Sequence, residues 1–340
     1  MAQKSFISGC EGLSLTPEEA GFFRAEKPWG FILFARNLES GDQIRRLCAA
    51  LREAADDPQA PIFIDQEGGR VRRLRPPLVL DYPPGSVYGA LYAEDAEAGL
   101  RAAWLGARLI AHDLTDLGIT GNCLPILDVR QLYGSHIIGD RAYGDAAGDV
   151  AAIGRVVAQG HAEGGVLPVM KHVPGHGRAR LDSHDALPIV DADATTLESV
   201  DFSPFHTLRD LPLAMTAHIV YEAYDPDRPA TTSQTVIDAV IRGMIGFDGA
   251  LMTDDLSMNA LSGSLDTRTA ESLAAGCDLA LHCNGDMVEM RAVASASVEL
   301  SGQAKRRTDA ARAALSAPQP CDRKTMRAEF DALVARVAAT

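Results

Sequence analysis

Short apolar runs recur along the chain, and longer stretches with apolar residues every three or four positions lie between them. The short runs are Phe6-Ile7-Ser8, Phe31 to Ala35, Pro61 to Asp65, Ile119 to Leu124, Val166 to Lys171, Leu213 to His218, Ala250 to Asp254 and Leu279 to Cys283. They do not alternate with polar residues, as expected of strands buried on both faces. The spacing predicts helices over Thr16 to Ala25, Gly41 to Ala55, Asp95 to Leu117, Val150 to Glu163, Leu197 to Leu208, Thr235 to Ile245 and Arg268 to Ala275. Residues 286–340, rich in Ala, Arg and Glu, read as further helices, and Pro76 to Tyr92 as a loop decorating the fold.

Eight strand–helix repeats predict an α/β fold, a single (β/α)8 barrel of the TIM type spanning residues 1–340 as one catalytic domain. A doubly wound sheet shares the alternation, so the placement of polar residues decides. Asp65, Lys171-His172, His218, Asp254 and Asn284 stand at or just beyond the ends of different strands. A barrel collects those ends at one mouth, where chemistry is done; an open sheet does not.

Forty-six acidic residues against 32 basic ones leave a net charge of −14. Binding to a phosphate backbone rests on clustered Lys and Arg, so no nucleic-acid partner is expected. The cysteines at 10, 48, 123, 277, 283 and 321 form no CxxC and sit mostly in apolar surroundings, the usage of a reducing compartment. The opening MAQKSFISGCEG lacks the apolar core of a signal peptide, and no apolar run reaches about 18 residues. The expected location is cytoplasmic, without a membrane partner, and no obligate protein partner is indicated.

The densest chemistry lies between Lys171 and His184. The segment Lys171-His172-Val173-Pro174-Gly175-His176-Gly177 leaves a buried strand, and its Pro and Gly residues forbid a helix. Asp182 and His184, two apart, can pair if the chain turns, which would raise imidazole basicity and fix its tautomer. Asp65-Gln66-Glu67-Gly68-Gly69-Arg70 follows another strand, with Arg73 close behind. Asp254 and Asp255 end a third; strand side chains alternate, so one can face inward as a nucleophile while the other orients or caps. The residues alone do not say which. A metal is not expected, because Pro174-Gly175 breaks the helical spacing of His172 and His176 that a zinc site would use. Lys171 as a Schiff-base lysine is a further alternative. His176, between glycines, reads as structural.

Seven ordered motifs carry a resemblance: DQEGGRVRR at 65–73, LPILDV at 124–129, GDRAYG at 139–144, KHVPGHG at 171–177, DSH at 182–184, AHIVY at 217–221 and TDDLSM at 253–258. From about Gly30 to Asn284 the chain resembles the family 3 glycoside hydrolases, and among them the short bacterial β-N-acetylglucosaminidases. The resemblance implies that Asp254 is the nucleophile, His184 the acid/base and Asp182 the carboxylate that partners it. It implies that Asp65, Arg73, Arg141, Lys171 and His172 hold the N-acetylglucosamine. It further implies a retaining exo-enzyme that needs no cofactor and acts on N-acetylglucosamine-terminated muropeptides in cell-wall recycling. A β-glucosidase or glycoside phosphorylase with the same machinery is the alternative within the class, and a non-catalytic sugar-binding barrel the one outside it. The chain departs from the pattern at Val173, where Phe or Ile is commoner, at Met252-Thr253 in place of Phe-Ser, and in two arginines before Asp182. The second α/β domain of larger members is not expected here, so the barrel's own loops are expected to complete the site.

Overall fold

Side chains of a strand point alternately to its two faces, so a closed parallel barrel sorts each strand into an inner and an outer set. The computed structural model, which describes residues 3–131, 134, 137–179 and 187–338, shows this sorting. The barrel strands are β1 (Lys4–Ser8), β2 (Pro28–Leu33), β3 (Ile62–Ile64), β4 (Gly121–Asn122), β5 (Leu167–Val173), β6 (Leu213–Thr216), β7 (Ala250–Asp255) and β8 (Leu279–His282). They close in the order β1-β8-β7-β6-β5-β4-β3-β2, with every pairing parallel. All eight expected strands are present.

The inner column includes Ile7, Ile32, Phe63, Leu167, Val169, Leu213, Met215, Met252 and Leu281. The outer set, packed under the helices, includes Phe6, Phe31, Ile62, Ile64, Met170, Ala214 and Leu251. Inner parity continued by two residues from Phe63, Val169, Met252 and Leu281 reaches Asp65, Lys171, Asp254 and Cys283. Polar groups thus appear where the apolar column reaches the mouth.

Helix boundaries follow their caps. Helix α1 (Pro17–Glu26) starts in a capping box, in which the Thr16 hydroxyl accepts from Glu19 N–H and the Glu19 carboxylate accepts from Thr16 N–H. Ser40 caps α2 (Gly41–Ala54). The segment 76–92, expected as a loop, instead contains α3 (Gly85–Glu94), which ends where Asp95 caps α4 (Ala96–Asp116). The expected helix from Leu197 to Leu208 starts earlier, with a turn at Ala194–Thr196, and is divided into a wide π-type turn over Leu197–Asp201 and a short helix Ser203–Thr207 opening with Pro204 in its first turn.

The tail beyond residue 286 is structural. The helix Gly302–Ala313 closes the bottom of the barrel: Ala311 joins the inner core, the Arg312 guanidinium lies 5.4 Å from the Trp29 ring centre, and its Nη2 donates to Trp29 O at 2.7 Å. In the helix Arg323–Ala338, Phe330 packs against Tyr82 and Tyr88, and Arg323 pairs with Asp113.

Helix α3 also holds the segment after β4. A β-carbon on Gly89 would fall 1.6 Å from Tyr143 O, and one on Gly85 2.2 Å from Arg141 O. Backbone meets backbone there, so no side chain fits. Gly89→Ala should cost about 1–3 kcal/mol by overpacking, lower the thermal unfolding midpoint, and raise KM through displacement of Arg141. Unchanged stability with unchanged KM would show that α3 does not brace this segment.

Candidate active site

Six strand ends, those of β2, β3, β5, β6, β7 and β8, and the loops beyond them surround a cavity of about 260 Å³ at the C-terminal mouth of the barrel, lined among others by Asp65, Arg73, Lys171, His172 and Asp254. Alternation would send Lys171 and His172 to opposite faces. The register of β5 on β6 shifts between Met170 and Val173, and both residues reach the cavity.

One side of the cavity is a row of alternating charges. Arg73 Nη2 lies 3.0 Å from Asp65 Oδ2, and Asp65 Oδ1 lies 2.7 Å from Lys171 Nζ. The same Nζ is 2.8 Å from Glu67 Oε1. Arg141 closes the row in a fork onto Glu67, Nη2 to Oε1 at 2.8 Å and Nε to Oε2 at 2.9 Å. Burial would raise the Asp65 and Glu67 carboxyls, but the cations outweigh it: Asp65 is held well below the carboxylate range and Glu67 falls to about 2. Burial opposes charge on Lys171, but Asp65 and Glu67 hold its pKa above that of an ordinary lysine. A protonated, doubly paired amine is no Schiff-base nucleophile, which removes that alternative.

Three arginine and lysine side chains expected around one sugar need more than Asp65 to balance them. Glu67 supplies the second anion, and sequence reasoning gave it no role. Counting the cations against the single acid was the available signal. Glu67 lies in a small antiparallel hairpin, Gln66–Gly68 with Val71–Arg72. Gln66 pins it: its Oε1 accepts from Arg73 N–H and Leu74 N–H, and its own N–H donates to Asn122 Oδ1.

Asp254 lines the same cavity. Burial works against its charge, but His218, His172, the Asp255 N–H and Lys171 together hold its pKa below the usual value. Oδ1 accepts the Asp255 N–H at 2.8 Å. Its neighbour is occupied otherwise: the Asp255 carboxylate accepts from Ser257 N–H, Ser257 Oγ–H and Cys283 N–H, capping the turn after β7. Both acids line the cavity, and Asp255 is the one that serves as the cap. His218, buried completely, donates from Nε2 to Asp255 O and shares a hydrogen bond with Thr231 Oγ1 through Nδ1. Burial pushes its pKa down.

His172 is paired as well. Its Nδ1 lies 2.7 Å from Asp128 Oδ2, while Asp128 Oδ1 accepts the backbone N–H groups of His172 and His176. Burial would raise Asp128, yet His172 and these N–H groups bring it to about 2. Asp128, in the LPILDV motif, had no expected role. The His176 N–H is held by Asp128, while its ring lies 5.5 Å from that of His172 and lines the cavity. Asp182 and His184 lie outside the described residues. Among the described residues, no group of three or more His, Cys, Asp or Glu is arranged to hold a metal ion, and no helix is long and apolar enough to cross a membrane.

A family model described as the glycosyl hydrolase family 3 N-terminal domain matches residues 24–315. A β-hexosaminidase of Alkalilimnicola ehrlichii is 38% identical over 282 residues, covering 82% of this chain and 80% of that one. A β-hexosaminidase of Aromatoleum aromaticum is 33% identical over 316 residues, 92% of this chain and 87% of the relative. The crystal structure of NagZ from Neisseria gonorrhoeae in complex with N-trifluoroacetyl-D-glucosamine superposes with a TM-score of 0.86 at 28% identity, covering 100% of this chain and 98% of that one. The chain belongs to glycosyl hydrolase family 3, as a glycoside hydrolase of the β-N-acetylhexosaminidase type.

Proposed function

We propose that the chain is a retaining exo-enzyme that removes terminal β-linked N-acetylglucosamine from muropeptides, N-acetylglucosaminyl-anhydro-N-acetylmuramic acid peptides, during cytoplasmic recycling of the cell wall. The observation that carries this reading is the ionised Asp254, which shares the cavity with a row of charges whose own acids are all paired. Asp254 attacks the anomeric carbon as the bond to the leaving oxygen breaks. A second group protonates that oxygen, then takes a proton from water so that the glycosyl-enzyme is released. Most retaining glycosidases use a second carboxylic acid for this. Asp65 and Glu67 cannot serve, because their cations keep them deprotonated. The acid/base must therefore come from elsewhere, and we assign it to His184 with Asp182 as its partner. Asp65, Arg73, Arg141, Lys171 and His172 hold the sugar, the ionised Asp65 accepting hydroxyl protons and the cations donating. Six free cysteines, five of them buried, accord with a cytoplasmic site of action. The whole chain, residues 1–340, is then one catalytic domain without metal or organic cofactor.

A second reading rests on one contact. His172 and Asp128 already form a histidine–carboxylate pair at the cavity, and could supply the acid in place of His184. Leaving-group dependence separates the two.

Release of p-nitrophenol from its β-N-acetylglucosaminide should be abolished in Asp254→Ala while the fold is kept, and a fluorosugar trap should label the peptide holding Asp254. Loss of activity in Asp255→Ala with near-full activity in Asp254→Ala would reverse the assignment.

His184→Ala should lose about 10²–10⁴-fold on poor leaving groups and far less in the first step on dinitrophenyl glycosides, where the glycosyl-enzyme should accumulate as a burst with a low apparent KM. Azide should rescue turnover and give a β-glycosyl azide. Asp182→Ala should show a milder form. The same signature in His172→Ala, and its absence in His184→Ala, would establish the second reading.

Lys171 helps to keep Asp254 ionised, so Lys171→Met should raise the Asp254 pKa. The acid limb of the kcat/KM profile should move to higher pH, with KM increased. An unmoved limb would mean that Lys171 does not act on the nucleophile.

A further inference from the structure

The two arginines before Asp182 are unexplained by sugar binding. Arg180 lies outside the described residues, but Arg178 donates through Nε to Asp201 Oδ2 at 2.6 Å. Asp201, in the wide turn Leu197–Asp201, is 1% exposed, and its Oδ1 has no hydrogen-bond partner among the described residues. The chain just before Arg178 is packed backbone against backbone. A β-carbon on Gly177 would lie 1.8 Å from Val129 O, and one on Gly175 3.1 Å from Asp201 Cβ. The Tyr221 hydroxyl donates to Gly175 O at 2.8 Å. Arg178 therefore extends a fixed segment by one more anchored side chain, four positions before Asp182 and six before His184.

We infer that Arg178 and Asp201 are a positioning pair, which fixes the chain leading to Asp182 and His184 and so governs protonation of the leaving group. This rests on the reading of His184 as the acid/base. Among the described residues, the charged and titratable groups facing Asp201 are Arg178, Asp128 and the Tyr221 hydroxyl. Burial lifts the Asp201 carboxyl to about 6, assisted by the like charge of Asp128 and opposed by Arg178. An acid whose pKa is raised on folding favours the fold when protonated, and that benefit is lost as pH rises through the folded value. At pH 7.5 the ionised Asp201 thus works against stability. A pair kept only to hold the fold together would be better replaced by apolar groups.

The test measures kcat and KM on p-nitrophenyl and dinitrophenyl N-acetylglucosaminides, with thermal unfolding at pH 7.5 and pH 5, for Arg178→Ala, Arg178→Lys, Asp201→Asn and His184→Ala. Arg178→Ala and Asp201→Asn should lower kcat/KM about tenfold on the poorer leaving group, part of what acid catalysis supplies, and little on the better one, where slowed release of the glycosyl-enzyme should show as a burst with a lowered apparent KM. Arg178→Lys should recover part of the loss. Asp201→Asn should unfold no earlier than the parent at pH 7.5. Equal loss on both leaving groups, or activity that only tracks a lowered unfolding temperature, while His184→Ala keeps its steep dependence, would overturn the pair's role alone. A His184→Ala variant indifferent to leaving group would overturn the acid/base reading and this inference with it.

Discussion

Charges taken out of water must be balanced nearly where they stand, and five of them in a row, Arg73, Asp65, Lys171, Glu67 and Arg141, govern this molecule's active end. Each is tolerable only because its neighbours are in place. That couples segments far apart in sequence: the hairpin after β3, the bulged end of β5 and the segment after β4. The barrel brings the strand ends together, Gln66 pins the hairpin, and α3 presses the Arg141 segment inward. The row also has a chemical consequence. Its acids are too strongly stabilised as anions to carry a proton, so they can accept hydrogen bonds from hydroxyls but cannot act as acids.

What was legible in the sequence followed periodicity and strand parity. Buried parallel strands read as apolar runs, and all eight did. Asp65, Lys171 and Asp254 were legible as site residues because each continues the inner parity of its strand by one more step. The acids beyond that pattern were not. Glu67 sits in a turn-bound hairpin, and Asp128 lies past Pro125, outside any strand. Their partners, Arg141 and His172, come from distant parts of the chain. Helix α3 was hidden for another reason. Pro76, Pro77, Pro83 and Pro84 with Gly85 and Gly89 read as loop punctuation. Pro84 in fact precedes the first helical residue, and the glycines serve close packing against residues 141 and 143. The capping box at Thr16 and Glu19 and the Asp95 cap show the opposite case, in which local chemistry sufficed to place a boundary.

The row carries three cations to two anions, leaving one positive charge at the place proposed for the sugar. A glycosidase transition state is itself positively charged at the anomeric carbon. The surplus cation would oppose it unless an anion stands closer to the developing charge. Among the acids whose contacts are described, Asp254 meets that need: Asp65 and Glu67 are neutralised in the row, Asp128 by His172, and Asp255 is spent on its turn. The same surplus that would hinder the reaction helps keep Asp254 ionised, through Lys171, with His218 and His172 adding to it. In the mechanism we propose, esterification of Asp254 removes its charge, and the cavity turns net positive around the glycosyl-enzyme. A positive cavity favours water that is losing a proton, or a small anion, as the incoming nucleophile. One arrangement of charges thereby serves both halves of the proposed reaction, with the nucleophile's own charge as the quantity that changes between them.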